Sequence, residues 1–181
     1  MSSDALDIGI ICSDAAREFL KYNKEFVSVG DVVKNSDVLV MKGNVKRVGV
    51  PQNRVDKYPL IIKRFGDNVD IIPMINSALP FALEKGEVDA ILIDALTALS
   101  LNGEVEGTSN IIPNYTSYTM VVSKKFKDTK DFKEFRRLYN MAVESLHNDK
   151  ILDDFFKNKK NYNERSVEKW RKWYVFHQKL P

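Results

Sequence analysis

The middle of the chain alternates between two patterns of apolar residues. Strand-like runs lie at residues 46–54, 69–75 and 88–93, and between them apolar residues recur at the spacing of one helix face. Gly66 and Gly86 follow the first two helical segments, where a left-handed residue lets the chain turn back toward a sheet. Strands that alternate with helices indicate a parallel sheet with right-handed crossovers, so we predict an α/β fold.

Further segments flank this middle part. The pattern predicts strands at 6–11, 26–33, 38–41 and 117–123, and helices at 15–22, 132–156 (with a break near 147–149) and 167–177. We assign residues 1–45 and 115–181 to a discontinuous first lobe, with the C-terminal helices packed on it. Residues 46–114 form a second lobe with the order strand, helix, strand, helix, strand.

The last predicted helix carries two tryptophans on its apolar stripe, Trp170 and Trp173. Each large aromatic side chain removes about 150–250 Å² from water when it is buried. We predict that these two residues pack on the first lobe or across a two-fold dimer interface. The homodimer is favoured because isologous dimers are the commonest oligomers.

Composition and charge narrow the function classes. Residues 124–181 carry 16 Lys and Arg against 9 Asp and Glu, although the net charge of the whole chain is only +3. Acidic and aromatic residues interrupt these cations, as is typical of a solvated helix face, so we predict no nucleic-acid partner. A single cysteine, Cys12, excludes an internal disulfide.

The first residues of the chain bear on where in the cell the protein is expected to act. It has neither a basic region nor an apolar run of the kind found in secretory signals, and its apolar runs are too short to span a bilayer. We therefore expect a cytoplasmic protein, or an extracytoplasmic one if the chain is truncated at its N-terminus.

Four polar loops are predicted to follow strands at one edge of the sheet, which is where open α/β sheets bind ligands. The predicted ligand-binding residues are Ser13, Asp14, Gln52, Asn53, Arg54, Asn76, Ser77 and Asp94. Three of these loops precede helices, whose free amides favour an anionic group. Arg54, if it points inward, pairs with a carboxylate or phosphate through two hydrogen bonds. Asp94 lies either at a cleft or at a helix N-cap, the position also predicted for Ser13.

The sequence offers little for catalysis. His147 and His177 lie in helical segments without cysteine or carboxylate partners at metal-ligand spacing. Cys12 is better explained as a small buried apolar residue than as a nucleophile. Neither a Gly-x-Gly-x-x-Gly loop nor a Walker loop is present. We therefore predict no catalytic residues, no metal and no cofactor, and a small molecule that is bound without being changed.

Several of these segments resemble a known family. The runs VKRVGVPQNR, ALPFALEKGEVDAILID, SYTMVVSKKF and LDIGIICSDAAREFL are similar to the type 2 periplasmic-binding-protein fold of ABC-transporter solute-binding proteins. The chain is also similar to an archaeal group of solute-binding-lipoprotein relatives. The resemblance implies a small solute bound in a cleft between the lobes and a transporter membrane subunit as a partner, and the loops described above favour an anionic solute.

The chain departs from the family in two respects. It lacks the lipoprotein signal with its cysteine box, and it is shorter than usual because the opening strands and helices of the first lobe are missing. Three explanations stay open: the first lobe is reduced, the chain is a fragment, or the C-terminal helices replace the missing part.

Two other functions on the same fold stay open. One is a cytoplasmic small-molecule enzyme similar to those of the menaquinone pathway, which needs a general base. The candidate bases are Asp14, Asp94 and Cys12. The other is an effector-sensing regulatory domain.

Overall fold

The computed structural model describes residues 6–52, 54–158 and 165–181, which divide into two compact units. The first unit contains the described parts of Met1–Lys34, Thr116–Asn158 and Phe176–Pro181, and the second contains those of Asn35–Tyr115 and Lys159–Val175. Both units combine helices with a sheet, which confirms the predicted α/β class. Within the described ranges, no helix is long and apolar enough to cross a membrane.

The strands and helices of these described ranges are numbered in chain order. The strands are β1 (Ile8–Cys12), β2 (Phe26–Lys34), β3 (Asp37–Met41), β4 (Arg47–Pro51), β5 (Asp70–Met74), β6 (Ala90–Asp94), β7 (Glu104–Gly107), β8 (Thr116–Ser123) and β9 (Phe176–His177). The helices are α1 (Ser13–Tyr22), α2 (Tyr58–Phe65), α3 (Leu79–Lys85), α4 (Ala95–Ala98), α5 (Lys124–Lys127), α6 (Lys130–Ser145), α7 (Asp149–Lys157) and α8 (Ser166–Lys172).

The first unit is built on an antiparallel sheet in the order β1-β8-β2-β9, as far as its strands are described. Helix α6 is capped by Thr129, whose hydroxyl accepts a hydrogen bond of 3.1 Å from the amide of Phe132. Phe132 then joins a buried cluster with residues of the sheet and of the C-terminal segment. The other members of this cluster are Val32, Met120, Val122 and Leu180.

The second unit is built on a sheet in the order β5-β4-β6-β3-β7 within the described ranges. β4 pairs in parallel with β5 and β6, as the alternation of strands and helices predicts. β3 and β7 extend this sheet by antiparallel pairing, and β7 is a four-residue strand that the apolar pattern did not indicate. The buried core on this sheet comprises Leu39, Met41, Val48, Val50, Leu60, Ile61, Ala90, Leu92 and Ile111.

The turn between α3 and β6 depends on Gly86. It lies in the left-handed region with φ of 72°, and its amide bonds back to the last turn of the helix. A residue without a side chain adopts this conformation at no steric cost. The chain can therefore return directly into β6, as predicted.

The C-terminal region differs from the predicted long helix. α8 ends at Lys172, and Tyr174 then takes a positive φ of 53°, which stops helical propagation. Phe176–His177 continues as β9 and pairs with β2, so the helix predicted to reach His177 is wrong over its last turn.

The two units also differ in extent from the predicted lobes. Residues 35–45 belong to the second unit, because β3 pairs with β6 and β7. Trp170 and Trp173 belong there too, and both are buried. The hydroxyl of Ser109 lies 3.3 Å from the Trp173 carbonyl oxygen, to which it donates. The structure thus places both tryptophans in the second unit, and the homodimer predicted through them stays a prediction.

Candidate functional site

The predicted ligand residues of the second unit lie where its parallel strands end. Pro51 at the end of β4 pairs with Met74 at the end of β5, and the amide of Gln52 donates to the Met74 carbonyl at 2.8 Å. The side chains of Gln52, Asn76 and Ser77 are exposed at this carboxyl edge of the sheet. Asn53, predicted to belong to the same site, lies outside the described residues.

Asp94 ends β6 at this edge and caps the helix that follows. One carboxylate oxygen accepts from the Thr97 amide at 2.9 Å, and the other accepts from the Thr97 hydroxyl at 2.6 Å. Asp94 is therefore the N-cap of α4, which is one of the two roles that the sequence allowed for it. In the strand register Asp94 lies opposite Asp37 of β3, which brings two carboxylates to the same edge.

Arg54 is held by a carboxylate of its own loop. Its Nε and Nη2 atoms donate to the two oxygens of Asp56 at 3.0 and 3.1 Å, a paired geometry that fixes the guanidinium plane. The guanidinium group is thus already matched by an acid two residues along the chain.

Lys57 is the residue at this edge that sequence reasoning missed. Its ammonium group donates to Oδ2 of Asp37 at 2.6 Å and to the hydroxyl of Tyr115 at 2.7 Å, and it lies 4.2 Å from the centre of the Tyr115 ring. Only 1% of the residue is exposed. A signal was available, since Lys57 precedes the buried Leu60 and Ile61 by three and four positions and so shares their helix face.

Together these residues form what we call the edge cluster: Asp37, Arg54, Asp56, Lys57, Asp94 and Tyr115. It holds three carboxylates and two cations, and each cation has a carboxylate partner within 3.1 Å. A buried ammonium group needs such partners, because isolating it from water is costly. The edge cluster therefore fixes the ends of the strands, while the exposed amides and hydroxyl beside it remain as groups that can recognise a ligand.

Ser13 and Asp14 belong to the first unit, at the end of β1. Ser13 is not the N-cap that the sequence predicted, because Cys12 takes that position and makes no side-chain capping bond. The hydroxyl group of Ser13 instead lies 3.0 Å from that of Thr119. Asp14 forms an ion pair with Arg17 one turn along α1.

The hydroxyl group of Thr119 continues this chain of polar contacts to a carboxylate. Thr119 donates to one oxygen of Asp31 at 3.1 Å, and Thr116 donates to the other at 3.0 Å. Asp31 lies within β2 and Thr116 starts β8. Neither is in a loop that follows a strand, so the sequence pattern did not single them out. Within the described ranges, no three His, Cys, Asp or Glu side chains are arranged to hold a metal ion.

A separate ion pair orders the opposite, amino edge of the second sheet. Asp89 accepts from the guanidinium of Arg47 at 2.8 Å and from the amides of Lys46 and Arg47 at 3.1 and 2.9 Å. The hydrogen bond from the Arg47 side chain is the main reason why the pKa of Asp89 falls to about 2. This pair ties the start of β4 to the residue before β6.

Comparison with known proteins identifies the architecture. No protein-family model and no curated sequence matches the chain. Solved structures do match, among them the zinc-bound ligand-binding component of an ABC-type import system from Staphylococcus aureus. That likeness has a TM-score of 0.71 at 15% identity and covers 97% of this chain and 68% of the other.

Two further structures extend the comparison. The periplasmic aliphatic sulphonate binding protein SsuA of Escherichia coli gives a TM-score of 0.64 at 14% identity, over 98% of this chain and 68% of its own. A Candida albicans gene product, described as having the generic periplasmic binding protein fold, gives 0.65 at 16% identity, over 98% of this chain and 66% of its own. The chain therefore has the periplasmic-binding-protein fold, as its sequence resemblance implied, and spans about two thirds of the length of these structures.

Proposed function

We propose that this protein binds a small solute, without changing it chemically, at the carboxyl edge of its second sheet. The observation that carries the proposal is the convergence of three parallel strand ends on one edge. There the exposed side chains of Gln52, Asn76 and Ser77 stand beside the internally paired edge cluster. Open α/β sheets bind ligands at this edge. The hydroxyl group of Thr97 donates to Asp94 at this edge, but that bond belongs to the N-cap of α4, so the arrangement favours binding over catalysis.

The fold likeness supports the same function. The staphylococcal structure is named as the ligand-binding component of an import system, and the E. coli structure as a periplasmic sulphonate-binding protein. By analogy with them, the proposal includes an extracytoplasmic place of action and a transporter membrane subunit as partner. A fold alone does not decide a function, so the analogy adds to the geometry of the edge and does not replace it.

We further propose that the solute is anionic and that neutral groups recognise it. Arg54 and Lys57 already have carboxylate partners, so the donors offered to a solute are the amides of Gln52 and Asn76 and the hydroxyl of Ser77. Hydrogen bonds to a charged acceptor are about twice as strong as those between neutral groups. A sulfonate or carboxylate group is matched to such donors.

A thermal-shift screen tests this function. The panel contains alkanesulfonates, organic acids, inorganic oxyanions and amino acids, and we expect an anionic member to raise the melting temperature. At 100 times Kd a ligand adds about 2.7 kcal/mol to the stability of the folded state. The double variant Gln52→Ala/Asn76→Ala should lose this rise, whereas Lys63→Ala, an exposed change on α2, should keep it.

Three results would count against the proposal. They are a panel without any saturable rise, a rise that the double variant retains in full, and a solute that is converted to product during incubation. Analysis of the solute by NMR before and after incubation separates the third result from simple binding.

A further inference from the structure

A concave surface lies within the second unit, between α3 and the residues that follow α4. Its volume is about 410 Å³, within the range of small-molecule sites. Leu83 and Leu101 supply apolar wall, and Phe81 adds an aromatic ring that is 56% exposed. We call this surface the α3 groove. Of the predicted ligand residues, only Ser77 lines it.

The charged end of the α3 groove is distant from the edge cluster along the strands. Lys42 directly follows β3, whose last residue, Met41, pairs with Ala90 at the start of β6. Glu84 lies in the last turn of α3. Both residues are therefore at the amino edge of the sheet, whereas Asp37 and Asp94 mark its carboxyl edge.

The charges that line the α3 groove are unmatched. Neither the ammonium group of Lys42 nor the carboxylate of Glu84 forms an ion pair or side-chain hydrogen bond within the described part of the chain. They line the same cavity but are not within ion-pair distance of each other. Arg47, by contrast, is fully engaged with Asp89 at the same edge. Among its lining residues the α3 groove thus holds one free cation and one free anion beside apolar wall, and the ammonium group of Lys85 lies 5.3 Å from the centre of the Phe81 ring.

We propose that the α3 groove binds a zwitterion with an apolar body, namely a short peptide with free termini. Its carboxylate pairs with Lys42, its ammonium group pairs with Glu84, and its side chains pack on Phe81 and Leu101. The balance of one cation and one anion selects against a ligand that carries a single charge, because such a ligand leaves one wall charge unmatched. This ligand differs in charge from the solute of the carboxyl edge, although Ser77 borders both surfaces, and the inference does not rest on the proposed function.

Calorimetric titration with L-leucyl-L-leucine tests the proposal on the full chain. We expect saturable binding that Lys42→Ala and Glu84→Gln each weaken about tenfold, as the loss of one charged hydrogen bond implies. Phe81→Ala should weaken it further by removing apolar contact. Glu87→Gln, an exposed change three residues from Glu84, is the matched control and should leave the affinity unchanged.

Dipeptides with one blocked terminus test which charge of the ligand pairs with which residue. The N-acetylated dipeptide lacks the ammonium group, so it should bind about tenfold more weakly and should not be weakened again by Glu84→Gln. The C-amidated dipeptide should behave in the same way toward Lys42→Ala. Equal sensitivity of free and blocked peptides to these variants would overturn the assignment.

Two further outcomes would overturn the proposal that the α3 groove binds a peptide. Absence of binding at millimolar dipeptide overturns the proposal. Binding that survives Lys42→Ala and Glu84→Gln but is lost in Gln52→Ala/Asn76→Ala also overturns it, because the peptide then occupies the carboxyl edge. The solute screen is independent of these titrations, so either proposal can fail while the other stands.

Discussion

The buried ammonium group of Lys57 donates a hydrogen bond of 2.6 Å to the carboxylate of Asp37. Lys57 leads into α2 and Asp37 starts β3, so this pair joins two elements that are separated in sequence. Asp37 also faces Asp94 across the strands, and like charges in that position destabilise a sheet unless a cation intervenes. Lys57 places a cation beside Asp37 at this edge.

The first prediction concerns this pair. Lys57→Met should lower the free energy of unfolding by about 3 kcal/mol, because it leaves the partly buried Asp37 carboxylate without its partner. Urea denaturation measures the change. Asp37→Asn, combined with Lys57→Met, completes a double-mutant cycle and should give a coupling energy of about 1 kcal/mol or more.

The control for this cycle is Lys63→Ala, which removes an exposed lysine from α2 and should change stability by less than about 0.5 kcal/mol. If Lys57→Met proves as mild as the control, the pair does not organise the edge in the way described.

The second prediction concerns the placement of Trp173. A methyl group added at Gly107 would lie 3.0 Å from both the Cα atom and the carbonyl oxygen of Trp173, which are main-chain atoms that cannot rotate away. Gly107→Ala should therefore destabilise the protein by about 1 kcal/mol or more and shift its tryptophan fluorescence. Gly9→Ala serves as the control, since its new methyl group meets Val121 at an ordinary 3.5 Å. Identical emission spectra for the two variants would show that α8 and Trp173 are not seated against β7.

The third prediction concerns pH. Burial lowers the pKa of His177, and the charge of His147 lowers it further. The ordinary value near 6.5 applies in the unfolded chain, so below that pH the unfolded state binds more protons than the folded state. Stability should thus fall as the pH drops through 6.5 toward the lower folded-state pKa.

His177→Gln should make stability less dependent on pH between 7.5 and 5.5, as measured by urea denaturation at several pH values. Glu144, whose carboxylate is also influenced by the charge of His147, pairs with Lys179. The pKa of Glu144 is lowered by that pairing, so its carboxylate stays ionised in this window. An unchanged slope in the variant would assign the pH dependence to another group.

The fourth prediction concerns the C-terminal segment of the first unit. The side chain of Asn140 donates to the Leu180 carbonyl at 3.0 Å and accepts from the Leu180 amide at 2.8 Å. Asn140→Ala should remove both bonds, cost about 1–3 kcal/mol and speed hydrogen exchange at the Leu180 amide. Lys133→Ala on the same helix is exposed and should leave that exchange rate unaltered. Slow exchange at Leu180 in the Asn140 variant would mean that other contacts suffice to hold the segment.

The sequence predicts the parallel part of the fold well, because its signals are local. Apolar runs of strand length and a glycine at residue 86 are sufficient to predict the return from α3 into β6. The antiparallel β7 and the two-residue β9 escape such reasoning, since short strands at sheet edges carry little periodicity. The positive φ of Tyr174 also gives no sequence signal, because non-glycine residues rarely adopt it.

The candidate site shows the same division. The loops at Gln52, Asn76 and Asp94 could be found from their position after strands. The long-range partners of the charged residues at this edge could not. Lys57 is chemically a surface residue, and its burial depends on Asp37 and Tyr115, which lie 20 and 58 positions away. Pairing over such distances is set by tertiary structure, so Lys57 could not be recognised as already matched, whereas the partner of Arg54 lies only two positions away, at Asp56.

The most direct test of solute binding at the carboxyl edge is a residue-resolved NMR titration with the solute that most raises the melting temperature. The account predicts that the amide signals of Gln52, Asn76 and Asp94 shift together along one saturation curve, while the solute is recovered unchanged. Saturable shifts confined to other parts of the chain, or the appearance of product signals from the solute, would contradict it.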